Sequence, residues 1–469
     1  MTESSASLHR RDLTVGSIPR HLVAFSLPLL FGNVLQALYN TADAMWVGQF
    51  IGPEALGAVS ASFPIVMFLV ALLMGVSMAS TVFVSQFAGA RQYDMVRKTI
   101  RNSLSLAVLG SSVVTVVGLA VSGPLLSFLN VPEEIFAMAA GYLRVHFLGT
   151  LFVTGYVFVS AILQGLGDSR TPVVFLAIAV TLNLVLDPFF IVGIGPLPAM
   201  GVVGAAIATV VSHAVSFMLA IWYLEKKVKL FSLRTFTLRL DKELTRKTFM
   251  VGLPSGIQQT IVSMGIMAMS SIVNSFGTAV VAAFGAASRL DQFAMMPAQS
   301  LGLATSAVAG QNIGAGRYDR VRQVLMWSCV IAVSIAIVVT GVAQLAPRIL
   351  MRIFTSDEQV LALGEEYLRI VSIGYAAFSL MFVFNSLIRG AGDTVPGMFF
   401  SAFNLWGVRV PLARWISSMP HLGSRGIWIA TAISSYVGAL ISMSYYATGR
   451  WKRVRLVSVA ETSEGELNA

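Results

Sequence analysis

The chain has a single cysteine, Cys329, in 469 residues, so no disulfide can form within it. Charge is also scarce: Asp, Glu, Lys and Arg make up 12% of the residues, against 56% hydrophobic, and the mean hydropathy is +0.77. Too few polar side chains remain to clothe a water-soluble domain. The five histidines are scattered, and neither a zinc-binding HExxH nor a phosphate-binding GxxxxGKS or GxxxxGKT pattern occurs. Those absences argue against a metalloenzyme and against direct drive by ATP, so neither an enzyme nor a cofactor is expected. No apolar run followed by a small-residue cleavage site opens the chain, so the first hydrophobic segment is expected to stay.

What fills the sequence instead is apolar segments of the ~20 residues that span a bilayer as a helix. They begin near positions 22, 58, 101, 135, 172 and 201, and again near 248, 280, 323, 364, 396 and 425. The expected fold is therefore all-α and integral to the membrane, with twelve transmembrane helices. Basic residues alternate between loops. Arg10, Arg11 and Arg20 precede the first span, Arg91, Arg97, Lys98 and Arg101 lie in the second loop, and eight basic residues stand between Lys226 and Lys247. The first, third, fifth and seventh loops have none. With Arg450, Lys452, Arg453 and Arg455 on the same side, both termini are expected to be cytoplasmic in the cell (inner) membrane. The pI of 9.9 then reflects topology, and no nucleic-acid partner is implied.

The two sets of spans are copies. SQFAGARQYDMVR at 85–97 returns as GQNIGAGRYDRVR at 310–322, 225 positions later. The same offset pairs Tyr142-Leu143-Arg144 with Tyr367-Leu368-Arg369, and Gly165-Leu166-Gly167-Asp168 with Gly390-Ala391-Gly392-Asp393. An even number of spans per copy makes the copies parallel, and transporters built this way work at the interface between them. The expected divisions are an amino-terminal segment 1–21, a six-helix half 22–224, a linker 225–247, a second half 248–449 and a tail 450–469. Phe231, Leu233, Phe236 and Leu238 of the linker suit either a membrane-surface segment or a plain solvated one. The acidic tail with Glu461, Glu464 and Glu466 reads as disordered. Asp168 and Asp393 read as turn residues, with Thr171 as a helix cap and Pro172 in the first turn. Arg91, Arg97, Arg317 and Arg322 read as topology markers.

Polar groups are expensive inside a span, about 2.5–3.5 kcal/mol for an Asp at its centre, so those present face a cavity and carry function. The first span holds Asn33, Gln36, Asn40 and Asp43, whose spacing of three, four and three puts them on one helix face. In the fifth span Asn183 and Asp187 lie one turn apart, and Thr209 in the sixth offers another oxygen. Carboxylates, an amide and a hydroxyl form a set suited to a hard cation or a shared proton. Packed polar contacts that fix helix register are the alternative, and Asn33 and Gln36 equally suit amide contacts between helices. The second copy lacks this set, since Asp43 corresponds to Ala268 or Met269 and Asp187 falls opposite Gly407 to Pro411. Arg289 and Asp291 in the eighth span read as a mutually compensating pair.

Taken together, Pro28 with Asn40-Thr41-Ala42-Asp43, Gln86 through Arg97, Leu182 through Pro188 and Gln311 through Arg322 resemble the multidrug and toxic compound extrusion family, in particular its prokaryotic branch related to the DNA-damage-inducible F proteins. The resemblance covers about 15 to 450. It implies two six-helix lobes around a V-shaped central cavity, and export of bulky, often cationic amphiphiles in exchange for inward H⁺ or Na⁺. It also implies an amino-lobe cation site at Asp43, Asn183, Asp187 and Thr209, the only place where a metal ion, Na⁺, is expected, and a cavity tyrosine at Tyr142. Asn33, Gln36 and Asn40 are the further cavity candidates, and Pro28 marks where the first helix can bend. The absence of an acid from Pro254 to Val262 argues against a cation site in the second lobe. Small amphiphiles and the lipid bilayer are the expected partners, and a monomer is the expected state. The competing readings are a flippase for lipid-linked saccharides, which favours a cationic cavity, and a non-transporting membrane receptor, which leaves the duplication unexplained.

Overall fold

A computed structural model describes residues 12–193, 198–454 and 456. The expectations placed on Arg10, Arg11, Arg455 and the acidic tail fall outside the described residues. The first copy comprises α1 (Ile18–Phe50), α2 (Pro53–Gly89), α3 (Tyr93–Phe128), α4 (Glu133–Leu148), α5 (Thr150–Gly165), α6 (Arg170–Pro188) and α7 (Gly201–Tyr223). The second comprises α8 (Lys242–Asn274), α9 (Thr278–Gly314), α10 (Tyr318–Leu345), α11 (Pro347–Arg352), α12 (Glu358–Val371), α13 (Tyr375–Gly390), α14 (Val395–Ala402), α15 (Val410–Ser417) and α16 (Ser424–Ala447).

Among the described residues nine helices, counting α12 and α13 as one, are long and apolar enough to cross a membrane, and α4 and α5, bent by 48° at Gly149, form a tenth span. The remaining two of the twelve are α9, which carries Arg289, Asp291, Gln292 and Gln299, and the α14–α15 pair, joined through a π-helical turn at Phe403–Arg409. The chain is thus a multi-pass membrane protein. Most helices start a few residues before the apolar runs because the chain stays helical through polar residues at the membrane boundary. The basic residues Arg97, Lys98 and Arg101 accordingly lie within α3.

The turn at the α5–α6 junction recurs between α13 and α14. Gly167 and Gly392 both take φ +91°, a left-handed conformation that glycine adopts without a Cβ penalty. The cap differs from the expected one: Asp168, not Thr171, accepts the backbone N–H groups of Arg170 and Thr171, each at 3.0 Å. Such caps contribute about 1 kcal/mol. The linker also departs from both expectations. Phe231 and Phe236 pack on each other, ring centroids 5.5 Å apart, and on the apolar core of the first half, while Leu233 and Leu238 stay exposed.

The halves meet along α1 and α2 from the first and α8 and α9 from the second. At mid-length Gly75 of α2 lies against the backbone of Gly252 and Gly256, an approach only small residues permit. At the end carrying the basic loops, Gly89 meets Gln311 and Gly314 meets Gln86 backbone to backbone. The segment before α1 straps this end. Leu13 is buried, its N–H donates to Gln311 Oε1 at 3.1 Å, and its carbonyl accepts Asn312 Nδ2 at 3.2 Å. Arg317 donates to the Thr14 carbonyl at 2.8 Å, and Arg91 lies 3.8 Å from Asp12. These arginines therefore also hold the strap. Among the described residues, the hydrogen bonds between the halves run from the Asn33–Ser300 level to this basic end, and none lies beyond it.

α1 changes partner along its length. Leu22, Phe25 and Leu29 pack into the second half with Ala304, Val308 and Leu387, whereas Val47 packs into the first with Ile191, Val202 and Ala205. Pro28 stands within the part of α1 that packs on the second half, five residues before Asn33.

Candidate ion and substrate site

Four helices of the first half bring paired side chains together away from the basic end. α1 runs 25 residues from Ile18 before reaching Asp43, and α6 presents Asp187 in its last turn, beside the π-helical turn Phe189–Gly193. Asn183 and Asp187 are fully buried, and Asn183 Nδ2 donates to Asp187 Oδ1 at 3.1 Å. Thr209 of α7 is 7% exposed, its hydroxyl 3.0 Å from that of Tyr39. Asp43 lies in electrostatic reach of Asp187, Tyr39 and Tyr142. Asp43 and Asp187 therefore belong to one locality, with Tyr39, Tyr142 and Thr209 around it.

The site's acceptors are incompletely satisfied. Asp43 Oδ1, Asp187 Oδ2 and Asn183 Oδ1 are buried without a hydrogen-bond partner. A buried carboxylate oxygen with no donor is costly, and a proton or a small hard cation is what the donor set lacks. Among the described residues no group of three or more His, Cys, Asp or Glu forms a metal site, so Na⁺ here would rely on amide and hydroxyl oxygens as well.

The polar stripe of α1 divides instead of facing one cavity. Gln36 joins Tyr39, Ala179, Ser212 and His213 around a small pocket in the first half and donates to Asn40 Oδ1 at 3.2 Å, with Asn40 itself exposed. Asn33 reaches the other way, its Nδ2 donating to Ser300 Oγ of α9 at 3.0 Å. Its counterpart in the repeat, Gln258, stays in its own half and bonds the Gly397 carbonyl and Ser401.

Several neighbours escaped the sequence reading. Tyr142 stacks on His146 with centroids 5.9 Å apart, and His213 lies edge-on to Tyr39 at 6.5 Å. His146 and His213 lie in electrostatic reach of each other, each with a buried Nδ1 that has no partner. Two of the supposedly scattered histidines thus belong to one locality. A signal was present: Tyr39–Asp43, Tyr142–His146, Asn183–Asp187 and Thr209–His213 are all four residues apart, so each pair shares a helix face.

The second half buries an acid too, with different partners. Asp291 accepts the hydroxyls of Tyr367 and Tyr375, with Arg409 in electrostatic reach; Arg409 Nε in turn donates to Ser434 Oγ at 2.6 Å. The expected pairing with Arg289 does not form, because Arg289 is exposed. Tyr142 and Tyr367 occupy the same repeat position, each beside an acid. Asp43 and Asp187 each keep a buried oxygen without a hydrogen-bond partner, whereas both oxygens of Asp291 are engaged.

A duplicated bundle of membrane helices with an unsatisfied carboxylate pair in one half has the architecture of a secondary transporter. The MatE family model matches residues 28–189 and, a second time, 254–415. The chain belongs to this family, the multidrug and toxic compound extrusion transporters. It is 34% identical to the probable multidrug resistance protein YpnP of Bacillus subtilis, over 95% of this chain and 98% of that one. A solved structure described as the outward-facing conformation of a multidrug resistance MATE family transporter superposes with a TM-score of 0.88 at 25% identity, covering 97% of this chain and all of the other. Another, described as MATE in the bent conformation, gives 0.86 at 26% identity over 94% and 98%.

Proposed function

We propose that the protein exports bulky, often cationic amphiphiles in exchange for inward H⁺ or Na⁺, bound at Asp43, Asn183, Asp187 and Thr209 in the first half. The observation that carries this reading is the trio of buried oxygens without donors on Asp43, Asp187 and Asn183. Asp291, saturated by two tyrosines and facing an arginine, has a charge-balancing role instead.

Binding of the ion neutralises the Asp43–Asp187 repulsion and lets α1 settle against α6 and α7. Pro28 supplies no N–H to the helix, so α1 bends there at low cost, within the part of it that packs on the second half. Asn33, Gln36, Asn40 and Tyr142 lie along the path of that movement and contact the substrate, which is released as the helix shifts. One elementary charge crossing 100 mV yields ~2.3 kcal/mol, enough for about a 50-fold substrate gradient. The basic end, joined by the strap, is the cytoplasmic one, and the conformation described here is open to the outside. Among the described residues the halves are not linked by hydrogen bonds beyond Asn33, which supports that orientation of the opening.

Directional flux of a fluorescent organic cation in proteoliposomes, with Na⁺ and H⁺ gradients imposed separately, tests the reading. Export under one gradient is expected. Gradient-independent movement of a lipid-linked saccharide would favour a flippase, and no flux of any solute a receptor.

A further inference from the structure

Outside the ion site, the first half has a second concavity. Leu104 and Val108 of α3, Leu151 of α5, Ile221 of α7, and Phe231 and Phe236 of the linker enclose an apolar crevice of about 340 Å³. That is within the range of about 300–1,000 Å³ usual for small-molecule sites. The local sequence builds it. Lys229 adopts φ +56° and reverses the chain after α7, Leu230 is buried, and the Leu233 N–H meets Glu225 Oε1 at 3.4 Å. The linker therefore folds back over the membrane boundary and walls the crevice with two aromatic rings. Gly155 leaves the width, since a Cβ there would press on the Phe217 ring.

We propose that this crevice is a binding site for one acyl chain of an anionic phospholipid, whose headgroup is held by Lys226, Lys227, Lys229 and Arg234. Three observations select this occupant. The crevice follows the last turns of α7 and lies more than two turns along that helix from Thr209, which separates it from the ion site. It opens where Trp222, 51% exposed, stands at the end of α7, the level at which tryptophans border the bilayer. The four cations are all exposed and are interleaved in sequence with the lining residues Glu225, Phe231, Leu233 and Phe236, so a hydrocarbon slot and a cationic rim adjoin. Glu225, the acidic lining residue, is engaged by the linker backbone.

Native mass spectrometry of the full-length protein, offered phosphatidylglycerol and phosphatidylcholine of equal chain length, tests the assignment. One phosphatidylglycerol per chain is expected to be retained in preference to phosphatidylcholine. Val108→Trp fills the slot and abolishes retention of the bound lipid. Replacing the four cations with Gln weakens phosphatidylglycerol by about fivefold per charge and leaves phosphatidylcholine unchanged. Should Val108→Trp fail to fold, phosphatidylglycerol brominated on its chains gives the second readout, quenching wild-type fluorescence more than that of Trp222→Phe. Equal retention of both lipids, retention unaffected by Val108→Trp, equal quenching of wild type and Trp222→Phe, or displacement of the lipid by a transported organic cation would each overturn the proposal. The last result would make the crevice a lateral doorway for substrate.

Discussion

Gln86 and Gln311 hold one end of the molecule shut by exchanging partners across the two halves. The Gln86 amide donates to the Gly390 carbonyl at 2.9 Å, and the Gln311 amide donates to the Gly165 carbonyl at 3.0 Å. Both side chains are buried, and each reaches the last residue of a helix in the opposite half. The repeat thus yields two matching bolts where α2 crosses α9.

Removing both bolts should open that end. Interhelical bonds of this kind contribute about 0.6–1.7 kcal/mol each in membranes, so Gln86→Ala with Gln311→Ala shifts the balance between closed and open by roughly tenfold or more. Spin labels placed at the exposed positions Lys98 and Arg322, with Cys329 replaced by Ser, should report an added longer distance in the double variant. An unchanged distance distribution would show that the bolts do not govern closure.

Gly314 makes a second demand on the same crossing, because a Cβ there would collide with the Gln86 backbone carbonyl. Gly314→Val should cost several kcal/mol, or force α2 and α9 apart, since backbone cannot yield as a side chain can. Gly341, with open space around it, is the control. Thermal unfolding in detergent is expected to separate the two variants clearly, Gly341→Val remaining close to wild type.

Asp291 and Arg409 should behave as a compensated pair. Asp291→Ala removes the acceptor of both tyrosine hydroxyls and the negative charge in electrostatic reach of Arg409, and is expected to lower the unfolding temperature in detergent. Asp291→Asn combined with Arg409→Gln is expected to recover much of that loss and to retain gradient-driven export with normal ion dependence. Altered ion selectivity in the double variant would instead place part of the coupling in the second half.

The amino-terminal strap has its own pH dependence. Burial alone would push the Asp12 carboxyl up, but hydrogen bonds from Thr14 and the charges of Arg91 and Arg317 outweigh it and hold the group below the usual carboxylate value of 3.8. A depressed folded value means that the contribution is complete above the unfolded value and is lost as pH falls through the folded one. Hydrogen exchange at Leu13 and Thr14, corrected for its intrinsic pH dependence, should therefore be flat from neutrality to about pH 5 and rise only in stronger acid. Asp12→Asn should show the faster exchange near neutrality, with the difference from wild type closing as pH falls through the folded value.

The duplication, the spans and the acids were legible because each leaves a one-dimensional mark. Hydropathy marks the bilayer, a fixed offset marks the copy, and Asp43 and Asp187 stand out against apolar neighbours. What stayed hidden depends on packing between distant segments. The spacing put Asn33 and Asp43 on one face of α1, but that helix is shared by both halves, so Asn33 turns to the second half and Asp43 to the first. Asp291 was assigned to Arg289 by proximity in sequence; its partners Tyr367, Tyr375 and Arg409 come from helices 76 residues or more away. His146 and His213 were passed over individually, although both recur four residues after a candidate residue.

The most direct test of the account compares wild type, Asp43→Asn and Asp291→Asn in proteoliposomes, measuring export of a fluorescent organic cation under an inward H⁺ gradient and, separately, an inward Na⁺ gradient. The account predicts export by wild type under one of the two, loss of that export in Asp43→Asn, and its retention in Asp291→Asn. Full gradient-driven export with normal ion dependence in Asp43→Asn would contradict the assignment of the coupling site to the first half.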